Sequence, residues 1–424
     1  MRKTILLLAS LTSLATAAWA EPLNLKDCLT RAAAANRGLR AASYDEGIAQ
    51  EQISIARSGL LPRVDLQAGY QAQLEAQAVK FGQLTQETQQ ADFAFLNLTL
   101  YDTLYDFGRT RSRMGAARMQ RDAARHTYSG SEQDIFLQVV RAYYGILVAD
   151  KLVNAANDEV VQMTSHQQTA QALFEQGVVT RNDLLQAEVR VAGSRQKLYN
   201  ALNGVENGWL LLNYLTGAPP KSRGELREES ETAPVPGGEE TVDLSKRGEI
   251  AALKDAVAAG DFAVQEAKSN YFPELFAKLA LDYVQNDKVR EQAIMSGVLG
   301  LKVNLYDGLA TSSRLRQAVQ GRARDEERLR DLEAKVALEL AMAKNDLSVA
   351  DARIKVAQKA IQQGVENLRI TKDRYQEKVG TATEVIDAQT LLTQTRTDYY
   401  QSIFDLQVAA ARVRRAAGEL AIDN

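Results

Sequence analysis

The chain has one cysteine, two histidines and seven prolines among 424 residues. A single cysteine, Cys28, excludes an intrachain disulfide. Its setting, Leu25-Lys26-Asp27-Cys28, lacks the small-residue run of a lipid-anchor site, so it reads as an inert thiol on the first helix. His126 and His166 have no ligand-like neighbour at i+4. No zinc spacing, phosphate loop or nucleophile motif is present. The expected catalytic residues, metal ligands and cofactors are therefore none. No apolar run after the first twenty residues approaches the ~18 that a spanning helix requires. A membrane-embedded form must then be built of β-strands. A formal net charge of −3, with aromatics not interleaved among the basic residues, argues against a nucleic-acid partner.

What is present begins with a leader. Arg2 and Lys3, an apolar run from Ile5 to Leu14, and Ala18-Trp19-Ala20 fit a secretory signal peptide over residues 1–20. The remainder says the same thing twice. From Tyr105 to Gly217, adding 201 lands on matching residue types without a gap. Tyr105-Asp106 meets Tyr306-Asp307, Arg113 meets Arg314, Thr180 meets Thr381 and Gly217 meets Gly418. Two copies of one long unit are expected, over 21–217 and 246–424, with a proline-rich and Glu-rich linker over 218–245.

No proline falls between residues 63 and 218 or after 273, and proline costs roughly 3 kcal/mol inside a helix. Ile135, Val139, Ala142, Ile146, Ala149, Val153, Ala156, Val160 and Met163 step alternately by four and three. The second copy runs Leu329, Leu332, Val336, Leu340, Ala343, Leu347, Ala350, Ile354, Ala357. This is a coiled-coil repeat, and a helix from Arg109 to Phe174 would be roughly 100 Å long. Each copy then turns and returns as a shorter helix. Gly177 and Gly380 are expected to give the turns their backbone freedom. Thr180 and Thr381 are expected to cap the returning helices, with Asp183 and Glu384 completing capping boxes. Lys378 stands where the first copy has Gly177. A lysine at positive φ costs roughly 1–2 kcal/mol, so the second bend is expected at Gly380, with Lys378 left helical.

Ahead of each long helix lies a strand-like pair, Val64 to Leu74 with Ala91 to Leu100, and Leu275 to Val284 with Gly297 to Leu305. The hairpins are expected over about 63–101 and 274–306. Ala94, Leu96, Leu98 and Leu100 alternate with Phe93, Phe95, Asn97 and Thr99, and Gly297, Leu299, Leu301, Val303 and Leu305 alternate with Val298, Gly300, Lys302 and Asn304. Runs of ~10 residues suit tilted membrane-crossing strands. Two arginine groups follow, Arg109 to Arg125 and Arg314 to Arg330. They fit either a basic belt at lipid headgroups or a solvated helix surface. Glu384 and Asp387 are three apart on one helix face. They act as helix-terminus acids or, in a symmetric ring, as cation-selective carboxylates.

The chain resembles the TolC family of outer-membrane export ducts. The residues that carry the likeness are Phe174, Gly177, Val178, Val179, Thr180 and Asp183, then Tyr375, Lys378, Val379, Gly380, Thr381, Glu384, Val385, Ile386 and Asp387. Tyr105-Asp106-Phe107-Gly108, Tyr306-Asp307-Gly308 and the two proline-then-hairpin segments add to it. The resemblance implies a mixed, mainly α fold. In it, three chains of four strands close one β-barrel of about twelve, continued by a long periplasmic α-helical barrel. It implies a passive duct in the Gram-negative outer membrane, reaching into the periplasm. The implied partners are two further copies, outer-membrane lipid, a periplasmic adaptor (a membrane fusion protein), and an inner-membrane RND or ABC transporter. Glu384, Asp387, Tyr375 and Asp183 would line or close the entrance. Gly177, Val178, Val179, Thr180, Lys378, Val379, Gly380 and Thr381 would meet the adaptor. Two residues depart from the family pattern. Lys378 replaces a usual glycine, and Gly380 stands where some members carry an arginine. Small-molecule efflux is the leading reading, type I protein secretion the second and a structural periplasmic coiled coil the third.

Overall fold

A computed structural model describes residues 22–228, 243–377 and 379–422. The expected leader, the middle of the proline-rich linker and Lys378 lie outside the described residues.

The first copy starts with two helices, α1 (Leu25–Ala35) and α2 (Arg37–Ser58). Asn24 closes a capping box with Asp27 on α1, and Asn36 Oδ1 accepts from the Gly38 and Leu39 amides of α2. Strand β1 (Arg63–Ala72) follows, then a small hairpin of β2 (Ala78–Phe81) and β3 (Leu84–Glu87), then β4 (Asp92–Tyr105). Helix α3 (Arg109–Glu175) has 67 residues and α4 (Arg181–Thr216) has 36. After a 3₁₀ turn at Leu244–Lys246 the second copy supplies α5 (Gly248–Ser269), β5 (Glu274–Val284) and β6 (Ala293–Lys302). Its long helix α6 (Ala310–Gln376) again has 67 residues and its returning helix α7 (Ala382–Ala417) again 36.

The two hairpins join through β4 and β5 into one antiparallel sheet of order β1-β4-β5-β6. The pairings Leu66↔Leu98, Leu98↔Leu281 and Leu281↔Met295 place like residues side by side across the sheet. One face thus carries Leu66, Leu96, Leu98, Leu100, Leu279, Leu281, Met295, Leu299 and Leu301. The other carries Asp65, Gln67, Asn97, Thr99, Lys278, Asp282, Ser296 and Lys302. Such a sheet has an apolar side for lipid and a polar side for water. β6 stops at Lys302, so Val303 and Leu305 lie outside it. Lys302 pairs with Glu274, the first residue of β5; before it stands Pro273, which has no N–H to continue the ladder. The expected polar loop of the first hairpin contains β2 and β3, which a sequence of exposed polar residues does not announce.

Each strand-to-helix joint is held by an aspartate. Asp106 accepts from the Thr110 amide at 2.7 Å and Asp307 from the Thr311 amide at 2.9 Å. Phe107 and Leu309 take left-handed backbone at these joints, with φ of 53° and 71°. The nearby arginines divide between ion pairs and solvent. Arg109 pairs with Glu274, Arg113 with Glu266 at 2.7 Å and Arg322 with Asp261, whereas Arg111 and Arg118 are exposed.

The helices form a layer with two levels. Near the sheet α3 packs on α2 and α5, and α5 on α6; farther away α3 packs on α4 and α7, and α7 on α6. The helix order, α2-α3-α5-α6 and then α4-α3-α7-α6, parallels the strand order above it. The main core sits where these levels meet. There Cys28, Leu29 and Ala32 of α1 pack on Phe136, Val139, Tyr143 and Ile146 of α3 and on Trp209, Leu212 and Leu215 of α4. Tyr143 donates to the Leu23 carbonyl, tying down the segment that bridges Leu23 to Leu226.

Candidate functional site at the helix tips

The end of the molecule farthest along α3 and α6 from the sheet consists of two helical turns. In the first, Gly177 takes φ 71°, the Val178 amide donates to the Leu173 carbonyl at 2.8 Å, and the Gly177 amide donates to the Phe174 carbonyl at 2.9 Å. This pair of bonds is a Schellman closure. Val178 is exposed, and Thr180 starts α4 with a full capping box. Its hydroxyl accepts from the Asp183 amide at 3.3 Å, and Asp183 Oδ2 accepts from the Thr180 amide at 3.0 Å. Asp183 therefore spends its carboxylate on its own helix. A small apolar cluster of Ala170, Phe174, Leu184 and Ala187 holds the two arms together.

The second turn differs. The Val379 amide donates to the Arg374 carbonyl at 3.0 Å, the counterpart of the Val178 bond. Gly380 is not among the residues with positive φ, which corrects the expectation that it supplies left-handed backbone and carries the bend. The Gly380 amide donates to the same Arg374 carbonyl, also at 3.0 Å, so Val379 and Gly380 close the turn together. Gly380 is needed for space instead: a Cβ there would sit 3.1 Å from Arg374 Cβ and 3.2 Å from the Tyr375 amide nitrogen.

The second capping box is likewise only half made. Thr381 Oγ1 accepts from the Glu384 amide at 3.3 Å, but the Glu384 carboxylate turns to Arg374, with Oε2 3.3 Å from Nη1. That contact is an ion pair without hydrogen-bond alignment, since the same oxygen is enclosed and accepts no hydrogen bond. Arg374 attracts the charge away from the cap. Asp387, one turn on, is exposed and has no ion-pair partner among the described residues. Leu368, Val385, Ala388 and Leu392 close the seam behind it.

Tyr375 lies half-buried where α6 meets α3 and α7. Its ring is 6.3 Å from that of His166, tilted by 56°. Burial, and next the Asp183 carboxylate, push its hydroxyl pKa up, so it is a neutral hydrogen-bonding group at ordinary pH. The structure thus brings Tyr375 and Asp183 into electrostatic contact and leaves Glu384 to Arg374 and Asp387 to solvent. Arg374 and His166 were not singled out from the sequence. An arginine ten residues before an acid has no helical signature across a turn, and a lone histidine in a polar stretch looks like surface.

The chain matches known proteins over most of its length. The family of that description, Outer membrane efflux protein, matches residues 28–218 and 243–419. The outer membrane protein TolC of Vibrio cholerae is 21% identical, over 97% of this chain and 94% of that protein. The alkaline protease secretion protein AprF of Pseudomonas aeruginosa is 23% identical, over 90% of this chain and 81% of that protein. The crystal structure of the Campylobacter jejuni CmeC outer membrane channel superposes with a TM-score of 0.83 at 15% identity, covering 93% of this chain and 86% of that one. This chain therefore belongs to the outer membrane efflux protein family and is the outer-membrane channel component of a tripartite export system.

Proposed function

We propose that three copies close edge to edge into a duct that conducts small molecules from an inner-membrane pump to the exterior. The observation that carries this reading is the matched pair of open edges on sheet and helix layer. β1 and β6 each leave one side unpaired, and free edges do not persist in lipid. Four strands fall short of the roughly eight that the smallest membrane barrels use; three copies reach it.

The helix edges support the same closure. α2 and α4 together offer 22 and 36 residues along one border, against 67 in α6 along the other. Exposed apolar residues line both borders. Tyr44, Ile48 and Ile55 are exposed on α2, Val189 and Tyr199 on α4, and Leu338 and Met342 on α6. A neighbour's border would cover each set.

In that assembly Tyr375, Asp183, Glu384 and Asp387 would ring the periplasmic entrance. Gly177 to Thr180 and Val379 to Thr381 would meet a periplasmic adaptor of the membrane fusion class, with Lys378 beside them. The adaptor would couple the duct to an RND or ABC transporter. A second reading, type I protein secretion, is favoured by the likeness to a protein named for alkaline protease secretion. Cross-linking in detergent should give trimers, and planar bilayers should show discrete conductance steps. Monomers alone, or bilayers without steps, would refute the duct. Deleting the gene should raise sensitivity to toxic small molecules; a changed set of secreted proteins with unchanged sensitivity would favour the second reading.

A further inference from the structure

Beside Tyr375 lies a cavity of about 260 Å³ between α3, α6 and α7. His166 lines it, partly buried, and burial pushes its pKa down. The charged and titratable groups around it are few. From α6 come Lys372, whose Nζ donates to Gln162 Oε1 on α3 at 3.2 Å, and Tyr375. From α7 come Val385, Ile386 and Gln389, none of which titrates, and the rest of the α3 lining is uncharged. Asp183 of α4 acts on Tyr375 from outside the lining. No carboxylate lines the cavity to balance a proton on the imidazole, and the one ionised side chain there, Lys372, carries the same sign.

The arrangement occurs once per chain. The position 201 residues after His166 is Asn367, and the position 201 before Tyr375 is Phe174. We infer that His166 is a proton-sensitive wedge. Uncharged, it packs beside Tyr375 and holds α3 against the α6–α7 pair; protonated, it leaves the cavity for water and loosens that junction, opening the entrance. The inference rests on the duct reading, in which this junction stands at the periplasmic mouth.

The sign follows from linkage. The closed state holds an imidazole that resists protonation, so it binds fewer protons than the open state, where the ring is solvated. Closure is complete above the ordinary histidine pKa of about 6.5 and weakens as pH falls below it. Between pH 7.5 and 5.5 each subunit can shift the open-to-closed ratio by at most about tenfold. Carboxylates in solvent titrate lower, near 4, which keeps them out of this window.

The test is single-channel recording in planar bilayers at pH 7.5 and 5.5 for the wild type, His166→Gln and His166→Arg. Wild-type open probability should rise severalfold at pH 5.5. His166→Gln, uncharged at both values, should stay low and flat, and His166→Arg, charged at both, should be open at both. A flat wild-type profile would overturn the inference while leaving the duct intact. So would an unchanged rise in His166→Gln, which would assign the response to other groups. Absence of any channel would overturn the duct reading itself.

Discussion

Where α3, α5, α6 and α7 converge, two buried arginines share one carboxylate. Arg415 is 2% exposed; it pairs with Asp134 at 2.7 Å and with Glu249. Arg247, 5% exposed, pairs with Glu249 at 3.2 Å and Glu339 at 3.1 Å, and donates to the Arg415 carbonyl at 3.2 Å. Burial alone would raise the Glu249 pKa, but the Arg415 hydrogen bond and charge, with Arg247 behind them, hold it down at about 2. From an ordinary value of 4.5, at 1.36 kcal/mol per unit, that is roughly 3 kcal/mol favouring the ionised form. Its side chain remains 31% exposed, and solvent screening reduces the figure to about 1.5–2 kcal/mol. Glu249→Gln should therefore destabilise the protein by about 1.5–2 kcal/mol at pH 7. Because the folded pKa is depressed, this stability is fully present above pH 4.5 and lost as pH falls toward about 2. Urea titrations of the detergent-solubilised protein, followed by far-ultraviolet circular dichroism, should show the gap at pH 7 and its disappearance near pH 2. An equal midpoint at pH 7, or a gap that persists at pH 2, would refute the reasoning. Asp134→Asn, whose side chain is 57% exposed, should cost under about 1 kcal/mol.

Two further outcomes follow from the tips. Asp387→Asn should abolish block by multivalent cations added on the periplasmic side, whereas Glu384→Gln should change it little, because Arg374 already neutralises Glu384; conductance with and without a trivalent cation distinguishes them. Gly177→Ala and Gly380→Ala should each weaken co-purification with the cognate adaptor, for different reasons. Alanine at position 177 carries about 1 kcal/mol of left-handed strain, while at position 380 it collides with Arg374 and the Tyr375 backbone. Asparagine tolerates left-handed backbone, so Gly177→Asn should retain most docking and Gly380→Asn should lose it; the reverse order would refute the two assignments.

Much of the architecture was legible because it is written as period. Of the four-and-three series, Val139, Ala142, Ile146, Ala156 and Met163 are buried, and Ile135, Ala149, Val153 and Val160 are partly buried. In the second copy Val336, Ala343, Ala350 and Ala357, one per heptad, are buried, while Leu329, Leu332, Leu340, Leu347 and Ile354 are partly buried. Alternation in β4 and β6 reports two faces in the same way. The tips were less legible. Gly177 and Gly380 look alike in sequence, yet one supplies a dihedral angle and the other removes a clash, a distinction that depends on where Arg374 sits. The Arg415–Glu249–Arg247 cluster joins residues up to 168 positions apart and follows no local pattern. His166 and Tyr375 meet across helices from different copies, so no spacing within either copy points to their contact.

The equal lengths of the paired helices have a consequence for how such a molecule changes. α3 and α6 have 67 residues each, with α5 and α7 packed between them, and α4 and α7 return over 36. A seven-residue insertion in one arm would raise its tip by about 10 Å while leaving its twin behind, tearing the rim out of plane. The reach of the protein is therefore a collective coordinate. It can be altered only by matched steps of whole heptads in all four helices, so length is set by the helices together rather than by any one of them.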